Sequence, residues 1–596
     1  MKWRIWLLVA LLLVDGGLLL MKFNDRPAEK VSSVKHSKPV KTNTEATDLF
    51  GDLQTDQSRY NPGEPVTLTL KRHVPSGKLN VTYYHLNEKL KEETLSNQST
   101  WSWQPPSEDY KGYLVEVKMS DDDQTQTETI AVDVSSDWDR FPRYGFLSEF
   151  SQTSKMNLER VISSLNRFHL NGLQFYDWQY EHQQPLKMDG SNPASSWQDV
   201  ANREVSFGTL QQYIDLAHTR NMKTMAYNLL YGSYTNSGLP LEWQLFKDPN
   251  KHQPDRHPLP KEWKSDINIM NPTNPWWQEY IIEQQRKVYE QLPFDGWHID
   301  QLGDRGEVFN EWGGRISIPD SFSPFLKKIK EKLPDKNIVM NAVNQYGQAS
   351  IAQAEPDFLY TEVWDENKSY GDLKKILDEN ASLSGKNASS VLAAYMDYQA
   401  SDQPGTFNEP GVLMTNSVIF ANGGAHLELG EHMLSKEYFP HHQLEVSSHL
   451  QNQLVHYYDF LTAYENLLRE NVTSSEVTIH SKDGIPLSFD TAKQGHLWVI
   501  PKRKDDHEEV LHFINFLDAN TMEWRDTDGR QKRPLELKDL SFTLKNSKKV
   551  KAMWLASPDY KSGKPVPVNF KQNVQQIMFT LPSLTYWDML VIEYDE

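Results

Sequence analysis

The chain has 596 residues, 38% of them hydrophobic, and carries a formal net charge of −19. This length exceeds what a single core supports, so we expect roughly three to four domains. The acidic balance argues against nucleic acid as a partner, and the lack of cysteine excludes disulfides, thiol nucleophiles and Cys-ligated zinc.

The N-terminus predicts export. Residues 1–22 have the pattern of a signal peptide or signal anchor, because Lys2 and Arg4 precede an apolar run at 5–14. No small-x-small cleavage site follows, so an uncleaved membrane anchor remains an alternative. Residues 23–46 are polar and predict a flexible linker. We therefore expect an extracellular protein, secreted or anchored to the cell surface, and the absence of cysteine favours a bacterial source.

Residues 47–137 predict a small β-sandwich. Apolar and polar residues alternate with period two in several short segments, and turn clusters such as Asn61-Pro62-Gly63 separate them. The predicted strands are 66–70, 79–84, 112–117 and 130–134.

Residues 138–470 alternate between strand and helix patterns, which is typical of a parallel sheet. Eight apolar runs are predicted as strands: 144–150, 172–178, 223–230, 296–302, 337–343, 358–364, 390–398 and 425–430. Amphipathic segments of helical length lie between most of them: 157–168, 209–219, 276–291, 324–333 and 370–383. Eight such units predict a (β/α)8 TIM barrel. The alternative is a doubly wound open sheet, but no G-x-G-x-x-G follows the first strand.

A long helix is predicted at 442–468, and residues 471–596 then return to a β pattern. The predicted strands are 497–500, 510–516, 550–555, 576–579 and 589–592. This end of the chain is predicted to be a C-terminal antiparallel β-sandwich.

Two acidic residues stand at the ends of predicted barrel strands, where barrel enzymes carry their chemistry. Asp300 ends the fourth strand and Glu362 ends the sixth. Cleavage of a glycosidic bond needs two carboxyl groups, one ionised and one protonated, with environments that separate their pKa values. A lone acid at a strand end could instead cap a helix or lie in solvent. Two acids, each with a nearby tryptophan, favour a catalytic pair.

Other strand ends carry polar and aromatic side chains that would suit a sugar-binding cleft. We predict substrate contacts for Tyr176, Asp177, Trp178, Asn228, Trp297, Gln301, Asn341, Trp364 and Asp397. The three tryptophans are candidates for stacking on sugar rings, with barrel packing as the alternative. Asp295 precedes Gly296 and is predicted to be a turn residue. No metal or cofactor is expected, because the histidine pairs lack a further ligand pattern.

The segments Asp-Gly-Trp-His-Ile-Asp-Gln-Leu-Gly at 295–303 and Tyr-Thr-Glu-Val-Trp at 360–364 resemble glycoside hydrolase family 66. The resemblance implies an immunoglobulin-like N-terminal domain, a (β/α)8 barrel and a C-terminal Greek-key β domain. It also implies that Asp300 is the nucleophile, that Glu362 is the acid/base, and that the α-1,6 linkages of dextran are hydrolysed with retention. The expected ligands are α-glucan (dextran) and isomaltooligosaccharides.

Alternatives stay open. The family also contains cycloisomaltooligosaccharide glucanotransferases, whose cyclising members carry a carbohydrate-binding module inserted in the barrel. No β-rich insert of that size occurs between 140 and 440, which favours hydrolysis. An amylase-type enzyme would place its proton donor after the fifth strand, which here ends in Asn341-Ala342-Val343-Asn344. A non-catalytic glucan-binding surface protein is the last alternative, and the chain is expected to be a monomer.

Overall fold

The computed structural model describes residues 53–71, 77–121, 124–384 and 389–595. The predicted signal segment (1–22) and linker (23–46) lie outside these residues. Within the described part, no helix is both long and apolar enough to cross a lipid bilayer.

The N-terminal part of the described chain is built from two antiparallel sheets, of three and four strands. Its strands are Leu53–Thr55, Val66–Leu70, Lys78–His85, Glu88–Ser96, Thr100–Trp103, Lys111–Asp121 and Gln124–Val134. Alternate residues point inward, so Val66, Leu68 and Leu70 are buried while the threonines between them are partly exposed. The β character agrees with the sequence pattern, whereas an immunoglobulin-like topology stays a prediction.

Eight parallel strands form the central sheet, in the order in which they occur in the chain. They are β1 (Tyr144–Leu147), β2 (Gly172–Phe175), β3 (Lys223–Leu229), β4 (Gly296–Asp300), β5 (Asn337–Val343), β6 (Leu359–Glu362), β7 (Ser390–Ala393) and β8 (Gly424–His426). The two edges of the sheet meet, because the Phe146 amide of β1 donates to the Leu429 carbonyl beyond β8 at 3.1 Å. The arrangement is consistent with a (β/α)8 barrel.

Helices follow the barrel strands. They are α1 (Lys155–Arg167), α2 (Phe207–Thr219), α3 (Pro275–Gln291), α4 (Ile318–Lys332), α5 (Gln348–Ala352), α6 (Tyr370–Ser384), α7 (Glu409–Ala421), α8 (Ser448–Ala463) and α9 (Glu465–Leu468). Ser154, Ser206 and Ser447 cap α1, α2 and α8 by accepting a hydrogen bond from a backbone amide three residues later. The predicted helix at 442–468 starts six residues later, at Ser448, which follows the Ser447 cap, and it is interrupted at Tyr464. Its predicted end agrees with the end of α9 at Leu468.

The loops that connect barrel strands to helices contain short strands of two or three residues. They are Met188–Asp189, Asn192–Pro193, Ser196–Gln198, Glu204–Ser206, Gly232–Tyr234, Arg256–His257, Ile267–Ile269, Val308–Phe309, Arg315–Ile316, Gly405–Thr406 and Leu444–Glu445. Because these loops follow the carboxyl ends of the strands, they surround one mouth of the barrel.

The interior of the barrel is aromatic. Tyr144, His298 and Tyr360 come from β1, β4 and β6 and contact one another, with ring centroids 4.9 to 6.4 Å apart. In each of these strands, the residues directly before and after the inward-pointing ring point outward, toward the helices. The layer formed by these three rings lies directly below the last inward residues of β4 and β6.

The C-terminal part consists of two further sheets. Their strands pair antiparallel, except that Leu487–Ser488 pairs in parallel with Leu497–Arg503. The larger sheet contains Thr473–Ser474, Leu487–Ser488, Leu497–Arg503, Glu508–Asn515, Val550–Ala556, Val566–Pro567 and Trp587–Tyr594. The smaller sheet contains Ile479–Ser481, Leu537–Lys545, Phe570–Gln572 and Gln576–Leu584. Trp587 packs edge-on against Phe460 of α8 at 4.8 Å, which joins this part to the barrel. A Greek-key topology, like the predicted domain boundaries, stays a prediction.

Candidate active site

Asp300 and Glu362 lie at the ends of β4 and β6, and Asn341 of β5 lies between them. The Asn341 Nδ2 donates to Asp300 Oδ1 at 2.8 Å and to Glu362 Oε2 at 3.1 Å. The two carboxylate oxygens therefore cannot be further apart than the sum of these two distances. Both acids are half-buried, so the pair is open to solvent at the barrel mouth.

Two tyrosine hydroxyls hold the outer oxygens of the pair. Tyr227 of β3 donates to Asp300 Oδ2 at 2.7 Å, and Tyr395, just beyond β7, donates to Glu362 Oε1 at 2.6 Å. Asp300 Oδ1 also accepts from the Gln301 amide at 2.8 Å. Asp300 thus has three donors and Glu362 has two, so the environment stabilises charge more strongly on Asp300.

Burial raises the pKa of both carboxyl groups, and the nearby Asp300 charge is a further cause for Glu362. Together they raise the pKa of Glu362 to about 7. The pKa of Asp300 is raised by burial as well, but the hydrogen bonds from Asn341, Tyr227 and the Gln301 amide act against this. The additional donor at Asp300 and the effect of the Asp300 charge on Glu362 both favour a shared proton on Glu362.

The floor of the site is neutral. Burial lowers the pKa of His298 to about 3, and its Nδ1 lies 3.2 Å from the Tyr144 hydroxyl. An uncharged imidazole at this position adds no positive charge to offset the burial of the two acids.

An aromatic rim stands beside Asp300. Tyr176 stacks on Phe439 with centroids 4.2 Å apart and lies 4.9 Å from the ring of Tyr227. Its neighbour Asp177 has a left-handed backbone (φ 49°), and burial together with the Asp199 charge raises the pKa of Asp177 to about 7. Tyr176 thus lies beside the Tyr227 ring, whose hydroxyl contacts Asp300, whereas the Asp177 side chain is only 4% exposed and accepts from Gln179 Nε2 at 3.3 Å.

Three predicted contacts are corrected by burial. Trp178 and Trp297 have exposures of 0% and 1%, and their indole nitrogens donate to the Tyr227 and Asn228 carbonyls at 3.1 and 3.3 Å. Neither ring offers a face for a sugar, so both pack the barrel. Asn228 is also fully buried and is paired with His182, which makes it a structural residue.

Gln301 and Asp397 are corrected as well. The Gln301 side chain is 2% exposed, and its Oε1 accepts from the Gly303 amide at 2.7 Å, so it shapes the loop after β4. Asp397 is fully buried and accepts from the Asn408 amide at 2.6 Å, next to the chain that passes at Arg525. The hydroxyl contacts predicted for these two side chains do not fit these positions. Trp364, in contrast, is half-buried at the mouth, close to Glu362.

Tyr227 and Tyr395 were missed by the sequence analysis, although strand alternation provides a signal for Tyr227. Side chains in a strand alternate between the barrel interior and the helices. Once Asp300 is placed inside, His298 must also be inside and Trp297 outside. The same alternation, applied to β3 through its parallel register with β4, puts Tyr227 opposite His298.

Two carboxyl groups held by one amide at the mouth of a parallel barrel have the arrangement that glycoside hydrolases use to cleave a glycosidic bond. Comparison with known proteins gives the family. The family model of glycosyl hydrolase family 66 matches residues 55–591, and the chain belongs to this family. It is therefore a glycoside hydrolase.

Known relatives cover most of the chain. It is 27% identical to a cycloisomaltooligosaccharide glucanotransferase of Niallia circulans, over 90% of this chain and 71% of that protein. It is 25% identical to a dextranase of Streptococcus salivarius, over 81% of this chain and 68% of that protein. The crystal structure of a Paenibacillus sp. cycloisomaltooligosaccharide glucanotransferase complexed with cycloisomaltoheptaose is similar with a TM-score of 0.84. It is 26% identical and covers 91% of this chain and 99% of that chain.

Proposed function

We propose that this enzyme is a retaining endo-dextranase that hydrolyses the α-1,6-glucosidic linkages of dextran by double displacement. The substrate class follows from relatives named for dextran and for cyclic isomaltooligosaccharides. The observation that carries the mechanism is the Asn341 amide, whose Nδ2 contacts both acids. These contacts keep Asp300 Oδ1 and Glu362 Oε2 closer together than the roughly 6.5–9.5 Å between the carboxyl groups of inverting enzymes, which supports the roughly 5–5.5 Å arrangement of retaining ones.

In the first step, Asp300 attacks the anomeric carbon while Glu362 gives its proton to the departing glucosyl oxygen. The bond from carbon to that oxygen breaks as the bond to Asp300 forms, which yields a covalent glucosyl-enzyme and a neutral alcohol. Glu362, now ionised, removes a proton from an incoming water, which attacks the same carbon and releases Asp300. The Tyr395 hydroxyl and the Asn341 amide stabilise the ionised Glu362 between the two steps.

Cyclisation is the second candidate, because two of the relatives carry out this reaction by name. The alignment with one of them runs over 702 positions although this chain has 596 residues, so that relative carries insertions that this chain lacks. Strands outside the barrel sheet between β1 and β8 are two or three residues long in the described chain. Both observations favour hydrolysis. Because dextran is a polymer, we also propose that the enzyme acts outside the cell, either secreted or anchored at the cell surface. We further propose that it is a monomer.

A timed digest of dextran, analysed by thin-layer chromatography, tests the activity. We expect linear isomaltooligosaccharides of mixed size at early times and no release from starch. Cyclic products would favour the second candidate, and glucose as the sole early product would contradict endo action. Asp300→Asn and Glu362→Gln should each lower kcat by several orders of magnitude while far-UV circular dichroism stays unchanged. A near-normal rate in either variant would remove that residue from the mechanism.

Azide separates the two roles and tests retention. In Glu362→Gly, azide should restore turnover of a substrate with an activated leaving group and give the α-glucosyl azide, because it attacks the glucosyl-enzyme. In Asp300→Gly, azide takes the place of the nucleophile and should give the β-glucosyl azide. The same anomer from both variants would contradict double displacement.

A further inference from the structure

A cavity of about 870 Å³ lies at the end of the barrel opposite the carboxyl pair, where the N-terminal part meets the starts of the barrel strands. Its barrel side includes Lys223 and Asn337, the first residues of β3 and β5. On β5, Asn337 precedes Asn341 by four positions, which at about 3.3 Å per residue places the cavity roughly 13 Å or more from the acids. We infer that this cavity is a second, non-catalytic binding site for α-glucan, which holds part of the polymer away from the site of cleavage.

The cavity is formed where two parts of the chain meet. Arg59 and Tyr110 come from the N-terminal part, and Trp138 comes from the segment that leads into β1. Arg59 Nη2 donates to Asn221 Oδ1, and Asn221 Nδ2 donates to the Arg59 carbonyl, both at 2.8 Å. This reciprocal pair holds the N-terminal part against the barrel, so the cavity is formed without a ligand. Clefts between domains are preferred positions for ligands, and the volume falls within the roughly 300–1,000 Å³ of known pockets.

The wall contains two buried donors that lack a partner. Trp138 packs below the aromatic interior of the barrel, edge-on to Phe358 at 5.2 Å, and is 3% exposed. Its indole Nε1 has no hydrogen-bond partner within the described ranges, and the same is true of Arg59 Nε. Buried donors are normally paired with protein, water or ligand. Two such groups in one wall favour a polar ligand in the cavity.

The charges of the wall suit a neutral ligand. The Lys223 and Arg140 cations are each paired with an acid, at 2.8 and 3.6 Å. This leaves the charge of Arg59 against those of Asp137 and Asp139 in the same wall. Burial and the Asp137 charge raise the pKa of Asp139, so a further negative charge would be unfavourable here. Sugar hydroxyls, in contrast, can accept from guanidinium and amide groups and donate to carboxylates.

An aromatic ring completes the wall. Tyr110 is half-buried and has a left-handed backbone (φ 58°), which a bulky side chain rarely adopts. Its hydroxyl donates to Asp137 Oδ2 at 2.5 Å, and the Arg140 guanidinium lies over its ring at 5.5 Å. The wall therefore combines an aromatic surface with charged hydrogen-bonding groups, as sugar-binding sites require.

A second site of this kind would act on long substrates only. A polymer bound in the cavity raises the effective concentration of its other segments at the cleft. The packed barrel and its helices lie between the two positions, so isomaltotetraose cannot occupy both at once, whereas dextran can. The two substrates therefore separate an effect of the cavity from an effect on the cleft.

The first test is binding to Asp300→Asn, which should not cleave its ligand; the choice of ligand rests on the proposed function. Isothermal titration calorimetry with isomaltotetraose should give two sites per chain. Adding Tyr110→Ala or Asp137→Asn should weaken one of them at least about tenfold. Glu88→Gln is the matched control, because it also converts an exposed acid of the N-terminal part to an amide, and it should leave both sites unchanged.

Three binding results would contradict the inference. They are a single site in Asp300→Asn, two unchanged sites in both cavity variants, and a cavity that takes inorganic phosphate in place of isomaltotetraose. The last result would identify an anion site, and the loss of phosphate binding in Tyr110→Ala would locate it.

Kinetics give the second readout. In the otherwise unchanged enzyme, Tyr110→Ala and Asp137→Asn should lower kcat/KM on dextran about three- to tenfold and on isomaltotetraose by less than about twofold. Equal losses on both substrates, or no loss on dextran, would overturn the inference. If the wild-type enzyme does not cleave dextran, the proposed α-1,6 hydrolysis fails instead. The cavity is then tested by the same titration with a tetrasaccharide of the glucan that the enzyme does cleave.

Discussion

Asn341 organises the chemistry at the scale of single residues, because one amide nitrogen contacts both acids. Its Oδ1 is buried and has no hydrogen-bond partner among the described residues. A buried acceptor without a partner costs free energy in the empty enzyme.

Asp295 and Asp300 are five positions apart, and their environments shift their pKa values in opposite directions. Asp295 is at the other end of β4 and, although largely buried, it accepts from His218, Lys223 and the Thr224 amide, which hold its pKa below the ordinary value. Asp300 has only neutral donors, and burial raises its pKa. The strand therefore carries one structural and one reactive acid.

The alkaline limb of the pH profile should reflect the ionisation of Glu362. It must be protonated for the first step, so kcat/KM should fall as pH rises through about 7, the pKa that burial and Asp300 give it. Tyr395→Phe removes a donor that favours the ionised form, so the pKa of Glu362 rises and this limb should move to higher pH. Initial rates on dextran across pH 4 to 9, roughly the range that brackets both acids, measure the shift.

Tyr227→Phe is the matched control. It removes a donor from Asp300, which must be ionised, so the pKa of Asp300 rises. The acid limb should then move to higher pH while the alkaline limb stays in place. If both variants moved the same limb, the assignment of roles to the two acids would be wrong.

At the scale of elements, the alternation of side chains along each strand explains what the sequence could and could not predict. The order of strands and helices follows from apolar runs and amphipathic segments, and the two acids follow from their places at strand ends. Trp178, Trp297 and Asn228 were assigned to the cleft because they are near strand ends, but all three side chains are buried and hydrogen-bonded within the protein. Asp397 could not be placed, since its position depends on Arg525, 128 positions later in the chain.

Gly296 tests how tightly β4 is packed. A Cβ at this position would overlap the Asn337 carbonyl of β5 and approach Met225 Cε of β3 to 2.7 Å. Gly296→Ala should therefore lower the free energy of unfolding by about 1–3 kcal/mol and reduce kcat, because β4 must shift and carries Asp300. Denaturant unfolding and dextran kinetics measure both effects.

Gly208 provides the comparison for this substitution. It lies in α2, and its nearest neighbour, a Ser206 side-chain oxygen, would be 3.9 Å from an added Cβ. Gly208→Ala should leave stability equal or slightly higher, because alanine favours the helix. A similar result for Gly296→Ala would mean that β4 can shift to accommodate a methyl group without a loss in the free energy of unfolding.

At the scale of the whole molecule, the C-terminal part reaches into the active site through the loop between strands Glu508–Asn515 and Leu537–Lys545. Arg525 on this loop is 6% exposed and donates to the Val363 carbonyl at 2.9 Å and the Tyr395 carbonyl at 3.5 Å. Its guanidinium also lies over the ring of Trp364 at 5.4 Å. The ends of β6 and β7 are thus held from outside the barrel, and the donor to Glu362 is among the residues held.

Arg525→Lys should lower kcat/KM on dextran about ten- to hundredfold, because a lysine cannot donate to two carbonyls and stack at once. We expect the alkaline limb of the pH profile to move as well, since Tyr395 loses its fixed distance to Glu362. Arg530→Lys is the control, because the Arg530 side chain is 74% exposed on the same loop. A lower melting temperature with an unchanged pH profile would reduce Arg525 to a structural contact. A shifted limb with preserved folding would make the C-terminal part a component of the catalytic machinery.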